Sequence, residues 1–346
     1  MKKSLFYLLL SFSLFSTVSC NKEDDIAIVS IILDQEHVTI EEGTTFTLSA
    51  TITPDNATNK TIKWRSNDED VATVSDGIVV AVGLGGTTIT AQAGNQIAEC
   101  KIYVRAKNMY KAKAFSVSAT KQVYFSSGNL QYHCKNKEWC FAPLQYNYRG
   151  HANENISETY NNYIDLFGWG TGSNPTLASY DLDDYVQCVD WGTNINDGNT
   201  WRTLSYDEWN YILFDRENAS DKLGVAGIAD GGVQGLVLLP DEWTLPEGLT
   251  FNSGFTRNPN FPYKFVNDYS YTDWQKMEQY GAVFLPAAGY RGYGATAWNY
   301  SSEGNYWSST TSKDKSSAYS INFISHEISW NSDKYCCGNS VRLVHD

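Results

Sequence analysis

The segment Thr45-Phe46-Thr47-Leu48-Ser49-Ala50-Thr51-Ile52 alternates polar and apolar residues without a break. Successive strand side chains point to opposite faces, so Phe46, Leu48, Ala50 and Ile52 share one face. That period of two reads as a half-buried strand. Similar runs lie on both sides of it: IVSIILD, HVTI, TIKWRS, VATVS, GIVVAV, TTITAQA and AECKIYV. Turn signals separate them at Glu41-Glu42-Gly43, Pro54-Asp55-Asn56, Asn67-Asp68, Asp76-Gly77 and Gly83 to Gly86. About seven short strands at ~8–12-residue spacing imply a β-sandwich over residues 28–106. Trp64 is its expected core aromatic.

Within that sandwich, Thr53-Pro54-Asp55-Asn56-Ala57-Thr58-Asn59-Lys60, Trp64, Val71-Ala72-Thr73-Val74, Gly77 and Thr87-Thr88-Ile89-Thr90-Ala91 follow in order. Together they resemble the bacterial Ig-like domain of group 2. The resemblance implies a spacer or adhesion module, not an enzyme.

The chain has 346 residues, and 39 acidic against 26 basic residues give a net charge of −13. Such an acidic balance argues against phosphate-backbone binding, so no nucleic-acid partner is expected. Aromatics reach 14% and every Trp except Trp64 lies after residue 130. A second, aromatic-rich domain is therefore expected, with 107–117 as linker and 118–346 as the domain.

Residues 1–20 read as a secretory signal. Lys2 and Lys3 precede the apolar run Leu5 to Phe15, and small residues lead to Ser19-Cys20. The apolar run is too short to cross a bilayer of ~30 Å as a helix. The ending resembles a lipoprotein box, departing from it in having Thr17 where Leu is usual. That resemblance implies lipidation of Cys20 and membrane attachment through the lipid alone. The acidic tether of residues 21–27 resembles the signal that sends some outer-membrane lipoproteins to the cell surface; its plainer reading is a solvated linker. Of the six later cysteines, Cys134 and Cys140 flank a hairpin-like KNKEW and allow a disulfide. Scattered His and the lack of a C-x-x-C pair argue against a structural zinc site.

In the second domain, Ser205 and Glu208 form a capping box, and Trp209, Ile212 and Leu213 share one helix face. A second helix is expected from Thr272 to Gln279, with Gln275 completing its box. Strands and long loops fill the rest, giving an α+β domain. Phe167-Gly168-Trp169-Gly170-Thr171-Gly172, Asp190-Trp191-Gly192 and Trp201-Arg202-Thr203-Leu204-Ser205 come first. Gly235 to Asp241, Phe284 to Gly289, Tyr306-Trp307-Ser308-Ser309 and Ser340-Val341-Arg342-Leu343-Val344 follow. This series resembles the C-type-lectin-like domains of the formylglycine-generating-enzyme type, which also serve as variable proteins of diversity-generating retroelements. Trp201, Leu204, Trp209, Leu213, Leu238, Trp307 and Leu343 sit at the positions such domains use for packing.

The resemblance implies a ligand surface just before the final Arg-Leu strand. Residues 290–337 are rich in Tyr, Ser, Asn and Trp, the mixture that binding loops favour. Tyr290, Tyr293, Tyr319, His326, Tyr335 and Cys336 are its candidates, because adenine-directed change of asparagine codons reaches Tyr, His and Cys but not Trp. Trp298 and Trp330 are set aside on that ground, and Trp330-Asn331-Ser332-Asp333 is read as a hairpin tip. No catalytic motif stands out, and Cys336-Cys337 lack the context of the fold class's oxidase. Asp181, Asp183 and Asp184 lack the calcium-loop pattern, so no cofactor and no metal are expected. The expectation is a lipid-anchored surface binder of a glycan or protein. The rivals are a fibre-tip subunit and a glycan-active or redox enzyme.

Overall fold

The computed structural model describes residues 25–105, 112–157, 159–185, 188–229, 232–255, 266–292 and 296–346. Cys20 and the tether as far as residue 24 lie outside the described residues, as does Tyr293. The chain is mostly β, arranged in several small sheets.

The N-terminal unit carries nine strands where the sequence suggested about seven. Gln96–Arg105 runs parallel to His37–Glu41 and antiparallel to Gly85–Ala93, which also pairs with Ile62–Ser66. Facing this sheet, Ile78–Ala81 lies between Thr45–Thr47 and Ala72–Ser75. Val38, Leu48, Val79, Ile89 and Ile102 fill the space between them, with partly buried Trp64 against them. The alternation holds: Thr45, Thr47, Ser49 and Thr51 are exposed, and Leu48 is buried. The turn Asp76-Gly77 has φ of 50° and 81° and joins Ser75 directly to Ile78. Positive φ at both central residues is the type I′ hairpin geometry that favours Asp-Gly.

The C-terminal unit begins earlier than expected. Ala114–Ser116, read as linker, is a strand on Gln122–Phe125, and Phe115 is buried in the core. Gln122–Phe125 pairs in turn with Leu343–His345, which also pairs with Trp201–Thr203. The ends of this unit thus close in one sheet. A second sheet joins Leu223–Ile228, Val233–Leu238 and Val283–Pro286, with Asn267–Tyr269 at its edge. A third is the meander Glu303–Thr311, Ser317–Ile324, Glu327–Lys334.

Helix is scarce here, so the expected α+β balance gives way to a β-rich unit with two short α-helices among the described residues. Helix α1, Tyr206–Asn210, has the full capping box: Glu208 N donates to Ser205 Oγ (3.2 Å) and Ser205 N to Glu208 Oε2 (2.9 Å). A π turn, Tyr211–Asp215, continues it, and Trp209, Ile212 and Leu213 enter the core. Helix α2, Tyr271–Gln279, starts one residue before the expected Thr272. Its cap is Ser270, whose Oγ accepts from Asp273 N at 3.1 Å. Gln275 is buried and instead donates to Val104 O at 3.1 Å, across to the N-terminal unit. Tyr103, Tyr146 and Tyr271 pack together at the same junction, with ring centroids 5.4–6.3 Å apart.

The expected packing residues are buried without exception: Trp201, Leu204, Trp209, Leu213, Leu238, Trp307 and Leu343. Arg342 is buried beside them, donating to Gln145 Oε1 (2.9 Å) and Asn129 Oδ1 (3.2 Å). Cys134 and Cys140 carry free thiols. The hairpin register explains this: Cys140 stands opposite Gln131, whereas Cys134 lies beyond the His133–Glu138 pair.

Candidate functional site

The expected ligand surface of residues 290–337 begins with a two-stranded ribbon after Pro286-Ala287-Ala288-Gly289. Tyr290–Arg291 pairs with Ala297–Trp298, placing Tyr290 opposite Trp298. Gly289 starts the ribbon at φ 73°, and a Cβ there would lie 2.1 Å from Trp298 O. Only glycine fits such a bend and close approach. Arg291 is wholly buried, and its backbone N donates to Gly338 O at 2.7 Å. Ala297 N donates to Glu154 Oε1 at 3.1 Å, and the Tyr300 hydroxyl bonds His151. The ribbon is thus pinned on both strands, while Trp298 remains 53% exposed.

Beside it, Glu303 gathers three amides. Asn299 Nδ2 donates to its Oε2 (2.6 Å), and Asn305 Nδ2 (3.1 Å) and Asn322 Nδ2 (2.5 Å) donate to its Oε1. The Tyr290 hydroxyl is pushed up in pKa by burial and then by the Glu303 charge. This is a fixed polar patch next to an aromatic pair. Sequence reasoning missed Glu303 and set Trp298 aside. The signal that marks both is the forced turn at Gly289, which starts the ribbon they flank.

Of the remaining candidates, Cys336 is brought beside the ribbon's Arg291, but inside the core. Tyr319 lies near the open end of its strand, and Tyr206 of α1 contacts both it (4.8 Å) and Trp330 (4.1 Å). Trp330 is therefore within the strand Glu327–Lys334, not at a hairpin tip; Ile324 pairs with Glu327, and Ser325-His326 form the tip. His326 is exposed there. From Tyr319 to Ile324 the strand rises roughly 17 Å, so Tyr319 and His326 occupy opposite ends of one hairpin.

Tyr335 and Cys336 are corrections. Tyr335 is 8% exposed and stacks on Trp169 at 4.7 Å, and Cys336 is 1% exposed in the same core. Neither presents a surface to a ligand. An aromatic next to small residues serves a core as readily as a loop, and the partner Trp169 is distant in sequence. The Cys336 thiol is drawn down to about 7, first by its hydrogen bond with Cys337 and then by Arg291 and Lys334; Cys337 is pushed up by the same bond and by burial. Cys336 is buried, whereas Cys337 is partly exposed. Among the described residues no group of three or more His, Cys, Asp or Glu is placed to hold a metal ion. No helix among them is long and apolar enough to cross a membrane.

Residues 27–102 match the bacterial Ig-like domain (group 2) family, so that domain is present in the chain. A protein named minor capsid protein, from Enterobacteria phage T3, is 42% identical over 77 residues, which is 22% of this chain and 18% of the relative. An Ig-like virion protein of Serratia phage KSP90 is 37% identical over 83 residues, 23% of this chain and 32% of the relative. Domains 4 and 5 of the S-layer protein SbsC share 23% identity at a TM-score of 0.20, covering 22% of this chain and 52% of that structure. The chain therefore spans less than a third of the length of either phage relative.

Proposed function

We propose that the chain is a surface-displayed binding protein. In this reading Cys20 carries a lipid anchor in the outer membrane and the acidic tether leads outward. The Ig-like domain is the spacer, and a C-type-lectin-like C-terminal unit presents the ligand face. The observation that carries the reading is the Tyr290–Trp298 pair, an exposed aromatic on a ribbon fixed from below by buried Arg291. Rigid aromatics with adjacent amides supply contact area at low entropic cost, and such anchors dominate binding energy. The ligand class is a glycan or protein of another surface.

The test is a glycan and protein array probed with the full chain. Combined change of Tyr290 and Trp298 to Ala is expected to weaken the best ligand at least about tenfold, as loss of central aromatic anchors does. Unchanged affinity would move the site off this ribbon. A structural-subunit role is the second reading, favoured by the virion and capsid names of the Ig-like relatives. It predicts self-assembly of the chain and no array ligand.

A further inference from the structure

A cleft of about 690 Å³ lies where the two units meet, with none of the ribbon's residues in its lining. One wall is the turn and strand around Asp34 to Thr39; the other is the hairpin of Gln131 to Phe141 with Asn161 to Tyr163. A smaller space of about 410 Å³ adjoins it and shares Glu36, His37 and Arg149. The larger volume lies within the ~300–1,000 Å³ of small-molecule sites, which occur preferentially at domain interfaces.

Arg149 lines both spaces. Its guanidinium lies 4.5 Å from the centre of the Tyr163 ring. Nη2 donates to Gln131 Oε1 at 3.0 Å, and Nη1 lies 2.5 Å from His37 Nε2. All three partners are neutral side chains, since burial and the Arg149 charge hold His37 down at about 4. Buried Asp165 accepts from the Arg149 backbone N at 2.9 Å and acts on the guanidinium through its charge, without an ion pair. Arg105, Arg202 and Arg216 each have a carboxylate within 4.0 Å. Among the described residues the Arg149 guanidinium has none. A partly desolvated guanidinium held flat by neutral groups presents a planar donor set that matches a carboxylate.

The rim gives the rest of the chemistry. Asn136, Asn161 and Asn162 are exposed amides along one wall, each able to donate and accept. Lys135 adds a second cation beside them, while exposed Asp34 and Glu36 stand across the cleft. A lining this polar has little to offer an apolar ligand. Amides that read hydroxyls, set around an arginine that reads a carboxylate, match an acidic sugar chain.

We propose that this cleft binds a carboxylated oligosaccharide, with a carboxylate on Arg149 and hydroxyls on Asn136, Asn161 and Asn162. Titrating oligogalacturonate and oligomannuronate into the full chain, each beside its carboxyl-reduced neutral counterpart, tests it. An acidic oligomer is expected to bind at least about tenfold more tightly than its neutral counterpart, the usual margin of charge-assisted hydrogen bonds. Binding should weaken as salt rises. Arg149→Met should abolish it. Lys135→Glu on the exposed rim should weaken it several-fold with an unchanged melting temperature, which separates binding from folding. Tyr290→Ala and Trp298→Ala should leave it intact, so the ribbon and the cleft succeed or fail separately. Failure of both acidic oligomers to bind, equal binding of the neutral ones, or indifference to both cleft substitutions would overturn the proposal.

Discussion

The two units of this chain close their β-rich folds over different spans of sequence. In the Ig-like domain two tight hairpins, Ser75 to Ile78 and Ala93 to Gln96, anchor the sheets, and its longest pairing, His37 with Lys101, spans 64 residues. In the C-terminal unit, Tyr124 pairs with His345 and the Trp307 indole donates to Phe167 O at 2.7 Å. Hairpin pairing is written in alternation and turn residues, which act locally. The pairing of the C-terminal unit depends on large side chains that find distant partners, and loop closure must be met before those contacts form. The difference teaches where each unit is vulnerable. The sandwich should be sensitive at its turns, and the aromatic unit at its buried rings.

The largest effect expected is on the aromatic side. Trp209 is 0% exposed, packs on Phe125 and anchors α1 against the core. Trp209→Ala should cost ~3–5 kcal/mol. In calorimetry the C-terminal transition should fall sharply while the Ig-like transition moves little. Equal shifts of both would show that the two units melt as one and remove the contrast drawn above.

Next comes a turn of the sandwich. A Cβ at Gly77 would meet Leu48 O at 2.5 Å, and its φ is 81°. Gly77→Ala should destabilise the Ig-like domain by about 2 kcal/mol, combining the left-handed backbone with that close contact. Urea unfolding followed at Trp64, with the later tryptophans as internal reference, would read it. A loss below a few tenths of that amount would mean that the turn relaxes freely.

The smallest expected effect lies at the junction. His37 has its pKa lowered from 6.5 to about 4, by burial first, then by Arg149 and Lys101. A lowered value means the docked state favours the neutral ring. Its contribution is complete above pH 6.5 and is lost as pH falls through the window down to about 4. At about pH 5.5 the loss should be about 1 kcal/mol. Melting curves between pH 7 and 5 should show the junction loosening, and His37→Gln should flatten that dependence. A His37→Gln protein with the same pH profile would assign the effect elsewhere.

How much was legible follows the same division. The Ser205–Glu208 box and the Asp76-Gly77 turn were readable because each involves residues within four positions of one another. The cap of α2 was misplaced by two residues, because Ser270 and Thr272 are both competent cap residues and the choice depends on where Trp274 and Met277 must point. Tyr335 and Cys336 were read as surface because nothing nearby in sequence shows that Trp169 and Tyr185 enclose them. Arg149 and its cleft left no local mark at all. His37, Gln131 and Tyr163 come from three separate segments, and one of them belongs to the other unit.

The strand Leu343–His345 lies inside its sheet, between Gln122–Phe125 and Trp201–Thr203. A ribosome delivers the chain from its N-terminus, so the Ig-like domain has all its strands once Arg105 has emerged. The aromatic unit must wait for its inner strand at Leu343–His345, about 240 residues later, which at ~5–20 residues per second of synthesis is roughly ten seconds or more. During that interval its tryptophans have no finished core to enter. A nascent chain stalled before Leu343 would hold one completed module and one sticky, protease-sensitive remainder. A premature stop just upstream should therefore be far more damaging than its few missing residues suggest.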